Sequence, residues 1–182
     1  MLEPIKKSAS KFLLKKKKEA KRTRKGSDLH SASSIAILYH DSDENNFKLI
    51  RKIAKEIKDE FGVRNVAIMG WVNGNDKVIP IYQAHKLESD YFCDSDLSWK
   101  LQPSSHLSNF LADEFDILID LVNQNALPVN YVLSQSKAKM KVGQKGSSRE
   151  KYLDLIIAVP DNSSTGLLFR EVIKVLSKLK IE

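Results

Sequence analysis

The run FDILIDLV, residues 115–122, decides the fold class, because it is nearly all apolar over the length of one strand. Such a run is typical of a strand covered on both faces, which is how strands lie in a parallel sheet. Working outward from it, we predict further strands at SIAILYH (34–40), VRNVAIMGWV (63–72), DYFCD (90–94), AKMKVG (138–143) and YLDLIIAV (152–159).

Amphipathic helices are predicted between these strands. Apolar residues recur at intervals of three and four over 47–61, from near Pro128, and over 167–179. Pro80 lacks a backbone donor, so VIPIY (78–82) is expected as an edge strand or an extended connection. The alternation of strands and helices predicts an α/β fold: a three-layer, doubly wound, mostly parallel sheet of Rossmann-like or flavodoxin-like type.

The positive charge of the chain is concentrated at its start. Residues 1–26 contain eleven Lys or Arg and two Glu, a net charge of +9, and include the block KFLLKKKKEAKRTRKG at 11–26. Residues 27–182 contain nineteen basic and twenty-one acidic residues, a net charge of −2. The basic character therefore belongs to the first segment, and the rest of the chain is slightly acidic.

The first segment also has a helical pattern. One side of such a helix would carry its apolar residues and the remainder its lysines, which describes a basic amphipathic helix. A polar stretch rich in serine follows. We therefore predict an arm at 1–26, a linker at 27–33 and a single α/β domain at 34–182. The apolar side is predicted to comprise Leu2, Ile5, Ala9, Phe12 and Leu13.

Several classes of protein are not indicated. The single Cys93 cannot form an internal disulfide, and no apolar run has the length of a signal-peptide core or a spanning helix. Neither glycine-rich phosphate-binding motif occurs, and no cysteine–histidine metal cluster is present. The sequence predicts a cytoplasmic protein with no cofactor and no metal site.

Acidic residues follow two of the predicted strands. Parallel strands share one carboxyl edge, so Asp41 and Asp43 are expected near Asp94 and Asp96 there. Carboxylates could hold Mg²⁺, and Asp41-Ser42-Asp43 is similar to the two-aspartate opening of haloacid-dehalogenase-type phosphatases. Helix capping and loop solvation explain the same residues, and we favour that interpretation. These four aspartates stay the weak catalytic candidates.

A second candidate site is the loop KVGQKGSSRE, where Lys141, Lys145 and Arg149 could grip an anion. A surface loop without a ligand is the favoured alternative, since no helix starts directly behind it. Trp71 and Trp99, with Tyr91, could stack bases or line a pocket, but aromatic residues in or beside strands usually belong to the core.

Four segments together carry a resemblance to known proteins: SDLSW (95–99), FDILIDL (115–121), SKAKMKVG (136–143) and YLDLIIAV (152–159). In order and spacing they resemble a family of short, uncharacterised proteins from Bacteroidota whose members also tend to begin with a lysine-rich segment. FDILIDLVNQ followed by AKMKVG is similar to the N-terminal half of heptosyltransferase-type glycosyltransferases, which implies the same fold. The glycine-rich opening of those enzymes and their nucleotide-sugar half are missing, so transferase activity is not implied.

The favoured hypothesis is a non-enzymatic binding protein whose arm associates with RNA or the ribosome, because clustered cations neutralise phosphates. The alternatives are peripheral association of the same arm with an anionic inner membrane, and a Mg²⁺-dependent phosphate-ester enzyme. A tail that only adds solubility is a further alternative. The predicted RNA-contacting residues are Lys11, Lys15, Lys16, Lys17, Lys18, Lys21, Arg22, Arg24 and Lys25.

Overall fold

The computed structural model describes residues 3–74, 82, 89–146, 148–160 and 163–179. Its helices are α1 (Glu3–Lys16), α2 (Glu44–Phe61), α3 (Ser105–Ala112), α4 (Leu127–Gln135) and α5 (Thr165–Leu176). Its strands are β1 (Ser34–His40), β2 (Asn65–Val72), β3 (Ser89–Cys93), β4 (Ile117–Asp120), β5 (Met140–Gln144) and β6 (Leu155–Ile157). The predicted VIPIY segment lies outside the described residues except for Tyr82.

All six strands form one parallel sheet in the order β3-β2-β1-β4-β5-β6. This is the strand order of a Rossmann-like doubly wound sheet, in which the direction of winding reverses between β1 and β4. The predicted fold class is therefore confirmed. The apolar run that predicted it became β4, and each of its four residues is buried.

The core has one apolar layer on each face of the sheet. Ile35 and Ile37 of β1 contact the layer under α2 and α5, whereas Ala36 and Leu38 contact the layer under α3 and α4. Successive side chains of a strand point to opposite faces, so one continuous apolar run can serve both layers. Three layers result, with the sheet in the middle.

The helix ends follow from short-range sequence signals. The Asp43 carboxylate accepts the backbone N–H of Asn46 at 2.9 Å and caps α2, which ends at Gly62 with a positive φ of 69°. Ser104 and Ser164 cap α3 and α5 in the same way. In the described part of the chain, no helix is long and apolar enough to span a membrane.

Candidate functional site

The arm, here residues 3–26 with α1 and the segment after it, contacts the α/β body. Leu14 is buried in the same apolar layer as Leu101 and Tyr131. Ser10 is also buried, and its Oγ lies 2.9 Å from the carbonyl oxygen of Trp99. Positions 10 and 14 are one helical turn apart, so these residues define the side of α1 that faces the body.

Two large residues from the apolar side predicted for α1 lie outside this contact. Phe12 is 56 % exposed and Leu13 is 37 % exposed, whereas Leu14 is only 6 % exposed. The sequence pattern gave no expectation that α1 packs on the body, because a buried serine bonded to a distant carbonyl gives no signal in an apolar pattern. Two large apolar side chains of the arm therefore face outward.

After α1 the chain remains bound to the body. The backbone N–H of Ala20 donates to Ser134 O at 3.0 Å, and that of Lys25 donates to Lys139 O at 3.2 Å. The Gln135 side chain donates to Lys18 O at 3.0 Å. These bonds hold the segment along the end of α4 and the start of β5.

Arg22 makes the strongest of these attachments. Its side chain is 2 % exposed, and its Nη1 lies 2.8 Å from Asp154 Oδ2 and 2.9 Å from Lys139 O. Burial alone would raise the pKa of Asp154, but hydrogen bonds from Arg22 and the Lys141 backbone hold that pKa below its usual value. Arg22 was predicted to contact RNA; its guanidinium is instead inside the protein. Neighbouring Arg24 is 65 % exposed and lies 3.6 Å from Glu19.

The lysines of the arm have a different environment. In the described part of the chain, none of them forms an ion pair with a carboxylate, and all are exposed. Lys16 Nζ lies 4.3 Å from the Phe12 ring centroid, and Lys17 Nζ lies 5.8 Å from that of Tyr131. The set includes two residues not predicted as contacts, Lys6 and Lys7, and comprises Lys6, Lys7, Lys11, Lys15, Lys16, Lys17, Lys18, Lys21 and Lys25.

At the carboxyl edge of the sheet, Asp41 is buried at the end of β1. The hydroxyl of Tyr82 donates to Asp41 Oδ1 at 3.2 Å, and the Tyr39 hydroxyl is a second partner. Burial raises the pKa of Asp41 to about 6, against the opposing effect of these bonds. The ring of His40 lies 4.9 Å from that of Trp71, and burial lowers the pKa of His40.

The other acidic candidates of this edge also have partners within the protein. Asp43 caps α2, as described above, and its Oδ2 accepts the Ser42 hydroxyl at 2.7 Å. Asp94 accepts the indole N–H of Trp71 at 3.0 Å, and Asp96 accepts the Cys93 backbone N–H at 2.9 Å. Among the residues with described positions, no group of three or more His, Cys, Asp or Glu is placed to hold a metal ion.

The three cations of the predicted anion loop do not lie together at the surface. Arg149 is fully buried, and its Nε donates to Asp120 Oδ2 at 2.7 Å. Lys141 is also fully buried and donates to Leu133 O, and burial lowers its pKa to about 8, with the nearby Arg22 charge adding to the effect. Lys145 alone is exposed. Both buried cations therefore support the fold and cannot meet an anion from solvent.

A cleft of about 570 Å³ lies at the opposite end of the sheet, along the first half of β2 beside α3. Its polar lining combines cations and carboxylates, and His106 Nε2 lies 2.8 Å from Asp90 Oδ1. Neither acidic strand end contributes to it. The polar residues of this lining are Lys58, Arg64, Asn65, Asp90, His106, Asn109 and Asp113.

The two tryptophans differ in exposure: one is buried in the core and the other lies at the surface. Trp71 is 3 % exposed and belongs to the core, as expected for an aromatic residue in a strand. Trp99 is 47 % exposed, although it was expected in the core. Lys100 Nζ lies 5.2 Å from the Trp99 ring centroid, so this exposed indole has a basic neighbour.

Fold and surface together define a Rossmann-like α/β protein with a basic arm packed on its body. The chain belongs to a family of unknown function, DUF6913, whose model matches residues 6–179. The matched range includes most of the arm as well as the body. Searches of the curated proteins and of the solved structures found no match. The expectation of an uncharacterised family is thus confirmed, and its link to Bacteroidota and the likeness to heptosyltransferases stay predictions.

Proposed function

We propose that this protein is a cytoplasmic RNA-binding protein without a catalytic role, and that its arm contacts RNA, free or within the ribosome. The observation that carries the proposal is the set of exposed arm lysines, which have no carboxylate partner among the described residues, on a segment that Arg22 and Leu14 attach to the body. Lysines in such an array attract a chain of phosphates and release its counterions. The attached body keeps the array in one place.

The lysines of α2 make the contrast clear. Lys48, Lys52 and Lys55 are as exposed as those of α1, but each has an acidic partner one helical turn away. The N–O distances to Glu44, Glu56 and Asp59 are 2.9, 3.8 and 3.6 Å. Their charge is locally balanced, so α2 offers little net attraction to a polyanion. The arm lysines have no such balance.

Association with an anionic membrane is the second candidate, and the outward positions of Phe12 and Leu13 favour it. The segment 17–26 argues for RNA, because it adds four lysines and no large apolar side chain. A membrane-surface helix gains much of its affinity from apolar side chains inserted below the headgroups. A phosphate chain needs only the cations.

The test replaces charge without uncovering the core. Deleting residues 1–26 would remove the cover over the Leu14 contacts and leave Asp154 without Arg22, so substitution is preferable. The arm variant is K11Q/K15Q/K16Q, and its matched control is K48Q/K52Q/K55Q on α2. Each variant loses three positive charges from the exposed side of a helix.

Binding of the full-length protein to a 20-nucleotide single-stranded RNA is measured by fluorescence anisotropy at several salt concentrations. The arm variant should lose about 10-fold to 100-fold in affinity near 0.1 M salt, and the slope of log K against log salt should fall by about 2, since each lost contact is worth about 0.7. The α2 variant should stay within about threefold of the parent, because its lysines are already paired.

Equal losses in the two variants would mean that net charge, and not the arm, determines binding. A parent protein that binds no RNA would overturn the proposal. If that protein instead bound vesicles containing phosphatidylglycerol, and the arm variant lost this binding, the membrane alternative would replace it.

A further inference from the structure

Trp99 lies at the first position of a three-residue hairpin loop, residues 99–101. The backbone N–H of Ser98 donates to Gln102 O at 2.9 Å, and that of Leu101 donates to Ser98 O at 2.9 Å. A turn followed by one residue in the left-handed region is a standard form of such a loop. Its backbone bonds define the direction in which the indole leaves the loop.

Leu101 occupies the left-handed position with a φ of 61°. That region is unfavourable for a residue with a Cβ, and glycine is the usual choice there. The Leu101 side chain is 5 % exposed and packs in the layer that contains Leu14. The loop thus buries its leucine in an unfavourable backbone conformation while the larger Trp99 side chain remains 47 % exposed.

The loop is also joined to the arm. Ser10 Oγ lies 2.8 Å from Lys6 O and 2.9 Å from Trp99 O, so its single proton is shared between the helix and the loop. Ser10 is 3 % exposed, which protects this bond from water. The backbone of Trp99 is therefore held against Ser10 of α1, a helix on which Lys6, Lys7 and Lys11 are exposed.

An exposed aromatic ring beside cations suits a particular kind of ligand. Lys100 Nζ, 5.2 Å from the Trp99 ring centroid, adds a positive charge at the indole itself. A ligand that suits both features carries negative charge and a flat aromatic group. Unpaired nucleotides have this combination, since bases stack on aromatic side chains while phosphates meet lysines.

We propose that Trp99 is a stacking site for one unpaired nucleobase of the RNA strand that the arm binds. This inference rests on the proposed function and sharpens it: the partner contains single-stranded RNA, and the indole selects against fully paired RNA. In a duplex the bases stack on one another and leave no free face for Trp99.

The first test compares two probes, a 12-nucleotide oligoadenylate strand and a 12-base-pair blunt RNA duplex, on full-length protein. Trp99→Ala should lower affinity for the single strand by about 5-fold to 100-fold. Its affinity for the duplex should change less than twofold, and the salt slope should not change. Trp99→Phe keeps an aromatic ring and should retain most of the affinity for the single strand. Lys100→Gln should lower the salt slope by about 0.7 for the single strand and by about 0.9 for the duplex.

A second measurement does not depend on removing the indole. The chain has two tryptophans, so the conservative variant Trp71→Phe leaves Trp99 as the sole fluorescent indole. Stacking of a base should quench its emission as oligoadenylate is added, with the midpoint seen by anisotropy. The duplex should quench it much less.

The outcomes separate the two proposals. If Trp99→Ala binds the single strand as well as the parent does, while K11Q/K15Q/K16Q still weakens binding, the stacking site is refuted and RNA binding stands. If no probe binds the parent protein, both proposals fail. A blue shift of Trp99 emission on phosphatidylglycerol vesicles, without quenching by RNA, would assign the indole to a membrane surface and overturn the inference.

Discussion

The carboxyl edge of the sheet and the arm both concentrate ionisable side chains, but they use them in opposite ways. At the edge, Asp43 caps α2, Asp94 accepts from Trp71, and Asp120 pairs with buried Arg149. Along the arm, the exposed lysines have no carboxylate partner in the described part of the chain. Both regions have clustered charges in the sequence. They differ in whether those charges have a partner within the protein.

The difference shows which clustered charges already have a partner in the described part of the protein. A buried charge without a counter-charge is expensive, so edge residues that are paired already have an explanation within the fold. Exposed like charges repel one another and contribute nothing to stability by themselves. In the proposed function, the many lysines held on an attached segment serve to meet a polyanion outside the protein. Stability should therefore respond to changes at the edge, and binding to changes on the arm.

The largest expected effect comes from Arg149→Met. This change leaves Asp120, 1 % exposed, as an uncompensated buried charge, and should reduce the free energy of unfolding by about 3–5 kcal/mol. Urea titration followed by circular dichroism measures it. RNA affinity of the fraction that remains folded should change less than twofold, because Arg149 is buried.

The double variant D120N/R149M is the control for that experiment. It removes both charges, so it should recover much of the stability that R149M loses. A double variant as unstable as R149M alone would show that Arg149 acts mainly through its hydrogen bonds to the carbonyl oxygens of Val122 and Gln124.

Within the arm, Arg22→Gln and Arg24→Gln form a matched pair. Each removes one positive charge, but only Arg22 is buried. Arg22→Gln should cost about 2–3 kcal/mol, since it leaves Asp154 and two carbonyl oxygens without their donor. Arg24→Gln should cost less than about 0.5 kcal/mol. Urea titration of both variants measures the difference, and equal costs would contradict the anchoring role of Arg22.

The two sides of α1 provide the next comparison. Leu14→Ala should cost about 2 kcal/mol, because it leaves a gap in a layer that includes Tyr131. Phe12→Ala should stay within about 0.5 kcal/mol, since Phe12 is 56 % exposed. Thermal unfolding of the two variants checks this order. The reverse order would place Phe12, and not Leu14, against the body.

Much of the fold follows from local pattern. The residues of SIAILYH coincide with β1, and the α2 and α5 patterns coincide with buried helix faces. The strand order could not be predicted in the same way. Pairing of β1 with both β2 and β4 depends on contacts between distant segments, whereas hydrophobic periodicity reports only whether a segment is buried.

The sequence predicted the positive charge of the arm, but it could not predict which arm residues contact the body. Counting residues located the lysines, but the burial of Arg22 depends on Asp154, which is 132 positions away. Arg22 and Arg24 are separated by one residue, and nothing in the sequence around them distinguishes the buried arginine from the exposed one. Trp99 was expected in the core but lies in a hairpin loop, and the left-handed position of that loop is Leu101, so no glycine in the sequence marks the turn.

The smallest expected effect is the pH dependence of stability that Asp41 causes at the carboxyl edge of the sheet. The folded pKa of Asp41, about 6, lies above its value in the unfolded chain, so between about pH 6 and pH 4 the folded protein binds the extra proton. Stability from this group therefore rises as the pH falls through 6 and is complete below about pH 4. Relative to Asp41→Asn, the parent should gain about 1–2 kcal/mol between pH 7 and pH 4.5.

Urea titrations of both proteins across this range isolate the contribution of Asp41. The groups that act on it are Tyr39, Tyr82 and Asp43, and His40 precedes it in the chain. His40 has a lowered pKa, so its protonation destabilises the folded protein in the same window. That opposing change occurs in both proteins and largely cancels in their difference. Parallel stability curves would mean that Asp41 is hydrated and ionised throughout the range, and the edge would then hold an accessible carboxylate after all.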